Sequence, residues 1–119
     1  MSLSVHAYFR TVDGEMSFIE PPDPSQDLAG FESYRKTLYG SRAAVSLGLK
    51  ILPKLANGDI CVEGEELEQL RSDVELAFFN VALFVTEAGA RTEDLRPRFE
   101  NILNAIRRAQ EAGGGVVIW

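Results

Sequence analysis

The sequence predicts one α+β domain: an N-terminal β-hairpin and a C-terminal strand in one sheet, packed against two long helices and one or two shorter ones. Three observations carry that expectation. Apolar residues alternate on both sides of Asp13-Gly14, a pair that favours tight hairpin turns. Two later segments, about 65–86 and 92–112, repeat apolar residues at the i, i+3, i+4 spacing of a helix that buries one stripe. The triplet Gly113-Gly114-Gly115 stops the second of these, and β-branched Val116, Val117 and Ile118 follow it. A length of 119 residues, 45% apolar, fits a single domain spanning 1–119.

The hairpin runs from Val5 to Ile19. With Asp13-Gly14 as a two-residue turn, Thr11 faces Met16, Phe9 faces Phe18 and Tyr8 faces Ile19. Val5, Ala7, Phe9, Met16 and Phe18 then share the core side, and His6, Tyr8 and Arg10 share the other. Three prolines between Glu20 and Asp27 make that stretch a loop. Asp27 is placed to cap a helix carrying Leu28, Phe31, Arg35 and Leu38, ended by Gly40. Ser41 can cap a second short helix through Ala43, Ala44 and Leu47. Leu49 to Asn57 is irregular but rich in residues that bury, and Ile60 to Val62 is too short to decide between strand and extended connection.

The central helix starts near Glu65. Leu67, Leu70, Val74, Ala77, Val81 and Phe84 form its core stripe, with Glu66, Glu68, Asp73 and Glu75 toward water. Beyond Leu76 the pattern is apolar on every side, so this half is expected to be buried all round or to cover a partner. The last helix starts near Thr92 and buries Leu95, Phe99, Ile102, Leu103, Ile106 and Ala109. Pro97 is tolerable only within its first turn.

Charge is unevenly spread. Residues 1–58 are neutral, 59–94 sum to −8 and 95–119 to +2, within a net −6. An acidic middle repels phosphates, which argues against nucleic-acid binding, and would speed encounter with a cationic partner. The longest apolar run, Leu76 to Val85, is about half a bilayer span and is broken by Asn80, so no membrane association is expected. The N-terminus lacks the basic start and apolar segment of a secretory signal, and Cys61 has no second cysteine to pair with. A cytoplasmic protein is the expectation.

The stretch Gly58 to Glu75 holds seven carboxylates against one arginine. As a calcium loop it fails, because Cys61 and Leu70 occupy positions that need oxygen ligands. One histidine and one cysteine are too few for structural zinc. His6 reads as a surface strand residue, Cys61 as a small buried filler, and the glycine triplet closes a helix where a phosphate loop would open one. No catalytic residue, cofactor or metal is expected. Eighteen acids still supply many pairs, so a carboxylate-pair hydrolase stays open.

The order of features in "ANGDICVEGEELEQLRSDVE" and "RFENILNAIRRAQEAGGGVVIW" resembles small acidic bacterial proteins of the immunity type. That resemblance implies a compact cytoplasmic inhibitor of a toxin. The expected function is accordingly a non-enzymatic acidic protein-binding module, an immunity protein or inhibitor of a basic toxin or nuclease. Glu63, Glu65, Glu66, Glu68 and Asp73 would steer the encounter, with Tyr34, Tyr39 and Trp119 as anchors. The alternative is a homo-oligomeric structural or regulatory subunit, dimerising through the apolar end of the central helix.

Overall fold

In the computed structural model, which describes residues 2–119, β1 (Ser2–Arg10) is the central strand of an antiparallel sheet. One edge of β1 pairs with β5 (Gly115–Ile118), from Val5 opposite Ile118 to Tyr8 opposite Gly115, and β4 (Ile60–Glu63) pairs outside β5. The other edge is shared. β2 (Met16–Ile19) takes Ala7 to Arg10, and β3 (Leu28–Phe31) takes Ser2 to Ser4.

Successive strand residues point to opposite faces, so one set of side chains looks inward: Val5, Ala7, Ile60, Val62, Val116 and Ile118, all buried. The helix α4 (Thr92–Ala112) lies across β1, β3 and β5, and its buried residues are Leu95, Phe99, Ile102, Ala105, Ile106 and Ala109. α2 (Glu65–Phe79) packs beside α4 and buries Leu67, Leu70, Val74 and Ala77. Burying each large aliphatic or aromatic side chain here stabilises the fold by about 1.5–3 kcal/mol. The α+β class, the hairpin and the C-terminal strand in the same sheet are as the sequence predicts.

The hairpin register differs by one residue. Thr11 N–H donates to the Glu15 carbonyl at 2.8 Å and Gly14 N–H to the Thr11 carbonyl at 2.9 Å, closing a three-residue loop, Val12–Gly14. Gly14 takes the left-handed conformation at φ +83°, while every described non-glycine residue, Asp13 included, keeps a negative φ. A two-residue I′ turn needs positive φ at both central positions, so Asp13 excludes it. The extra loop residue pairs Arg10 with Met16 and Tyr8 with Phe18. A one-residue slip exchanges the faces, and Met16 and Phe18 leave the core side for the side of His6, Tyr8 and Arg10.

Leu28 to Phe31 is a strand, not the first turns of a helix. Gly30 sits at φ +120°, outside the helical region, and its missing Cβ leaves room for the Tyr34 ring. Asp27 therefore caps no α-helix but ends a 3₁₀ turn, Pro24–Asp27, and after the strand helical geometry returns only at Arg35–Tyr39. Ser41 caps α1 (Arg42–Ser46) as expected, accepting from Ala44 N–H at 3.2 Å. A turn over Leu52–Ala56 follows, with Leu49, Ile51, Leu52 and Leu55 buried.

α2 stops at Phe79 because the Asn80 side chain donates to the Leu76 carbonyl at 2.8 Å and Asn80 leaves helical geometry. A tight turn, Val81–Phe84, and the short α3 (Val85–Ala88) continue the path. The apolar end of the central helix is not buried all round. Val81 and Phe84 face inward, whereas Leu76, Phe79 and Leu83 meet solvent. Pro97 lies one turn into α4 and within the helix, beyond the first turn to which the sequence assigned it.

Candidate binding surface on the open sheet face

The acidic segment dissolves as a single face once its partners are known. Asp73 is 5% exposed and accepts three backbone N–H groups, from Lys50 at 3.0 Å, Ile51 at 2.7 Å and Leu52 at 2.9 Å. It caps the Leu52–Ala56 turn from a distant helix and is a structural carboxylate, not a steering charge. Asp59 is paired to Arg35 at 2.6 Å, and the same guanidinium donates to the Gly58 carbonyl. Glu68 binds Arg71 and accepts from Gln110 at 2.7 Å, and Glu75 lies 3.5 Å from Arg71. Glu63 lies on β4, accepts from the Tyr8 hydroxyl at 2.9 Å and lies 3.5 Å from Arg10. Among the described residues, Glu65 and Glu66 alone of the seven make no hydrogen bond or ion pair.

Two expected anchors are also interior. Tyr39 is 1% exposed and its hydroxyl donates to the Ala29 carbonyl at 2.5 Å. Tyr34 is 5% exposed and covers Gly30. Burial holds both phenols above their ordinary value, because the phenolate would be poorly solvated there. Neither can anchor a partner. Trp119 is exposed, as expected.

What the structure assembles instead is the outer face of the sheet. Ser4, His6, Tyr8 and Arg10 of β1 share it with Met16 and Phe18 of β2, Cys61 and Glu63 of β4, and Val117 and Trp119 of and beyond β5. Cys61 is therefore exposed, not a buried filler. Trp119 continues the β5 ladder by exchanging backbone hydrogen bonds with Ser4 at 2.8 and 3.0 Å.

At one end, Tyr8 lies over its cross-strand neighbour Gly115. A Cβ on Gly115 would fall 2.6 Å from the Tyr8 hydroxyl oxygen and 2.7 Å from the ring carbon bearing it, so only glycine admits this ring. The hydroxyl donates to Glu63 at 2.9 Å and lies 3.5 Å from the Cys61 sulfur. Burial first, then these two neighbours, raise the phenol above its usual range. Arg10 stands over the ring at 5.6 Å and 3.5 Å from Glu63.

At the other end, His6 is held by two partners. The Trp119 indole N–H donates to Nδ1 at 3.0 Å, and Nε2 lies 3.4 Å from the Asp27 carboxylate. Nδ1 is thus an acceptor, and neutral His6 carries its proton on Nε2 toward Asp27. With both nitrogens engaged, His6 offers no free base to a substrate. Phe18 completes a cluster with His6 at 5.7 Å and Trp119 at 5.5 Å between ring centres. These rings, Ile19 and Glu20 line a cleft of about 160 Å³. Asp27 Oδ1 and the Arg108 Nε and Nη2 are buried without hydrogen-bond partners, and burial lowers the Arg108 pKa despite the nearby Asp27 charge.

Sequence reasoning placed His6 and Trp119 outside the core but missed Met16, Phe18, Asp27 and the company they keep. Asp13-Gly14 suits a two-residue turn and equally a three-residue loop with Gly14 at its left-handed position, so the local sequence left the register open. The chain matches no family model, and no curated protein or solved structure is similar to it.

Proposed function

We propose that this chain is a non-enzymatic binding module in the cytoplasm whose open sheet face receives a basic protein partner, as an immunity-type inhibitor of a cationic toxin or nuclease would. One observation carries the reading: Phe18 and Trp119 are 44% and 45% exposed, yet packed against each other on a sheet face that also exposes Met16. Exposed aromatic and methionine side chains gathered together are the composition of interface cores. Glu63 stands on the same face, roughly 13 Å from Trp119 at about 3.3 Å per strand residue. Glu65 and Glu66 follow it at the start of α2 and supply the steering charge. Among the described residues, no helix is long and apolar enough to cross a membrane.

The test is affinity capture from the native host at low salt with the wild-type chain and a Phe18→Ser/Trp119→Ser variant. The reading expects a basic protein retained by the wild type and lost from the variant, and a slower association rate for Glu65→Gln/Glu66→Gln. An empty wild-type column, or identical retention by the Phe18/Trp119 variant, would overturn it.

A second reading rests on Phe79, which is 83% exposed beside the exposed Leu76 and Leu83. Residues 76–86 carry no charge, so two copies can meet there without like-charge repulsion. Sedimentation at two concentrations separates the readings. A dimer abolished by Phe79→Ser supports a homo-oligomeric subunit, and a monomer at both concentrations removes it.

A further inference from the structure

The cleft at the Trp119 end of the open face has the chemistry of a receptor for one organic cation. We infer that Phe18, Trp119 and His6 form an aromatic cage for the ammonium head of a lysine side chain, plain or methylated, presented by a basic protein partner. The inference rests on the binding-module reading for the source of that cation.

The three rings meet at 61°, 79° and 40°, with centres 5.5–6.0 Å apart, so no pair is stacked face to face. Ring faces carry negative quadrupole potential and attract a cation placed against them. Charge complementarity points the same way. Glu20 lines the cleft and supplies its negative charge, whereas the Asp27 carboxylate, 3.4 Å from His6 Nε2, lies behind the ring and is offset by the nearby Arg108. The volume, about 160 Å³, suits a single headgroup and is well below the roughly 300–1,000 Å³ of sites for larger ligands.

The rings are also ordered before any ligand arrives, in mutual contact along one side of the cleft. The indole N–H bond to His6 Nδ1 at 3.0 Å fixes the Trp119 ring, and two hydrogen bonds with Ser4 of β1 fix its backbone. A ligand entering such a site spends little affinity on ordering it.

Trp119 is the chain's single tryptophan, so its fluorescence reports this cleft alone. The probe is tetramethylammonium chloride, titrated against sodium chloride at equal ionic strength and against neutral tert-butanol of similar shape. The inference expects a weak, saturable change with tetramethylammonium only. It expects affinity to fall about fivefold in Phe18→Leu, which keeps apolar bulk but removes a ring face, and about threefold in Glu20→Gln. Both positions are exposed, and far-ultraviolet circular dichroism matching the wild type verifies that each variant folds. An equal response to tert-butanol, a response without saturation, or undiminished affinity in both variants would overturn it. A null titration beside successful capture of a basic protein removes the cage and leaves the binding face. A saturable titration beside an empty column does the reverse.

Discussion

Val117 and Ile118 are neighbours in β5, yet one faces the open side of the sheet and the other faces the layer beneath α4. The inner set, Val5, Ala7, Ile60, Val62, Val116 and Ile118, is apolar throughout and shares one core with the helices. The outer set is mixed: a serine, a histidine, a tyrosine, a cysteine, an arginine, a glutamate, the buried Val117 and three exposed large apolar side chains. Its order comes from pairwise devices, namely Tyr8 over Gly115 and the Trp119–His6 hydrogen bond. The difference teaches which face is committed to folding and which is available for contact. A face buried under a helix is spent on stability, while an open one held in fixed geometry by its own side chains is suited to binding.

That contrast can be broken most directly by truncation. Ile106→Ala, on the buried stripe of α4, is expected to cost about 3–4 kcal/mol, whereas Phe18→Ala on the open face costs below about 1 kcal/mol. Urea unfolding of both variants checks this, and equal losses would mean that the outer face is a second core.

A smaller effect tests the Tyr8 device. Gly115→Ala forces a methyl against the Tyr8 ring and the Val62 carbonyl, for an expected loss of about 2 kcal/mol. Gly58→Ala, where no atom lies within 4 Å and φ is not positive, is the control and should change stability little. If the two variants unfold together, Tyr8 is not held as described.

Alkali tests the same burial without any substitution. Tyr8, Tyr34 and Tyr39 all hold their protons above the ordinary phenol value, with burial as the leading cause. Unfolded tyrosines ionise near pH 10, so above that pH the folded state binds more protons than the unfolded one. Stability is therefore fully present below about pH 10 and falls as pH rises beyond it. Thermal melts from pH 8 upward, read beside the absorbance of phenolate, follow this. Three phenols titrating near 10 in the folded protein would contradict the burial assigned to them.

Much of the fold was legible because its signals are local. The α4 stripe, its glycine stop, the Ser41 cap and the β-branched C-terminal strand each depend on residues close in sequence, and each stands where expected. Less of the site was legible. Asp73 reads as one more solvated acid of a helix until the amides of Lys50, Ile51 and Leu52 arrive beside it. Tyr34 and Tyr39 fall off the helical stripe, and β3 rather than their own helix buries them: Gly30 lies under the one ring, and the Ala29 carbonyl receives the other's hydroxyl.

The sequence by itself determined the class of fold, the two amphipathic helices and the concentration of acids in one segment, since periodicity, capping and charge are written in neighbouring residues. Only the tertiary structure decided which acids stay free and which aromatics face water. One loop residue sets the hairpin register and with it the face of Phe18, and amides far away in the chain decide whether a carboxylate steers or caps.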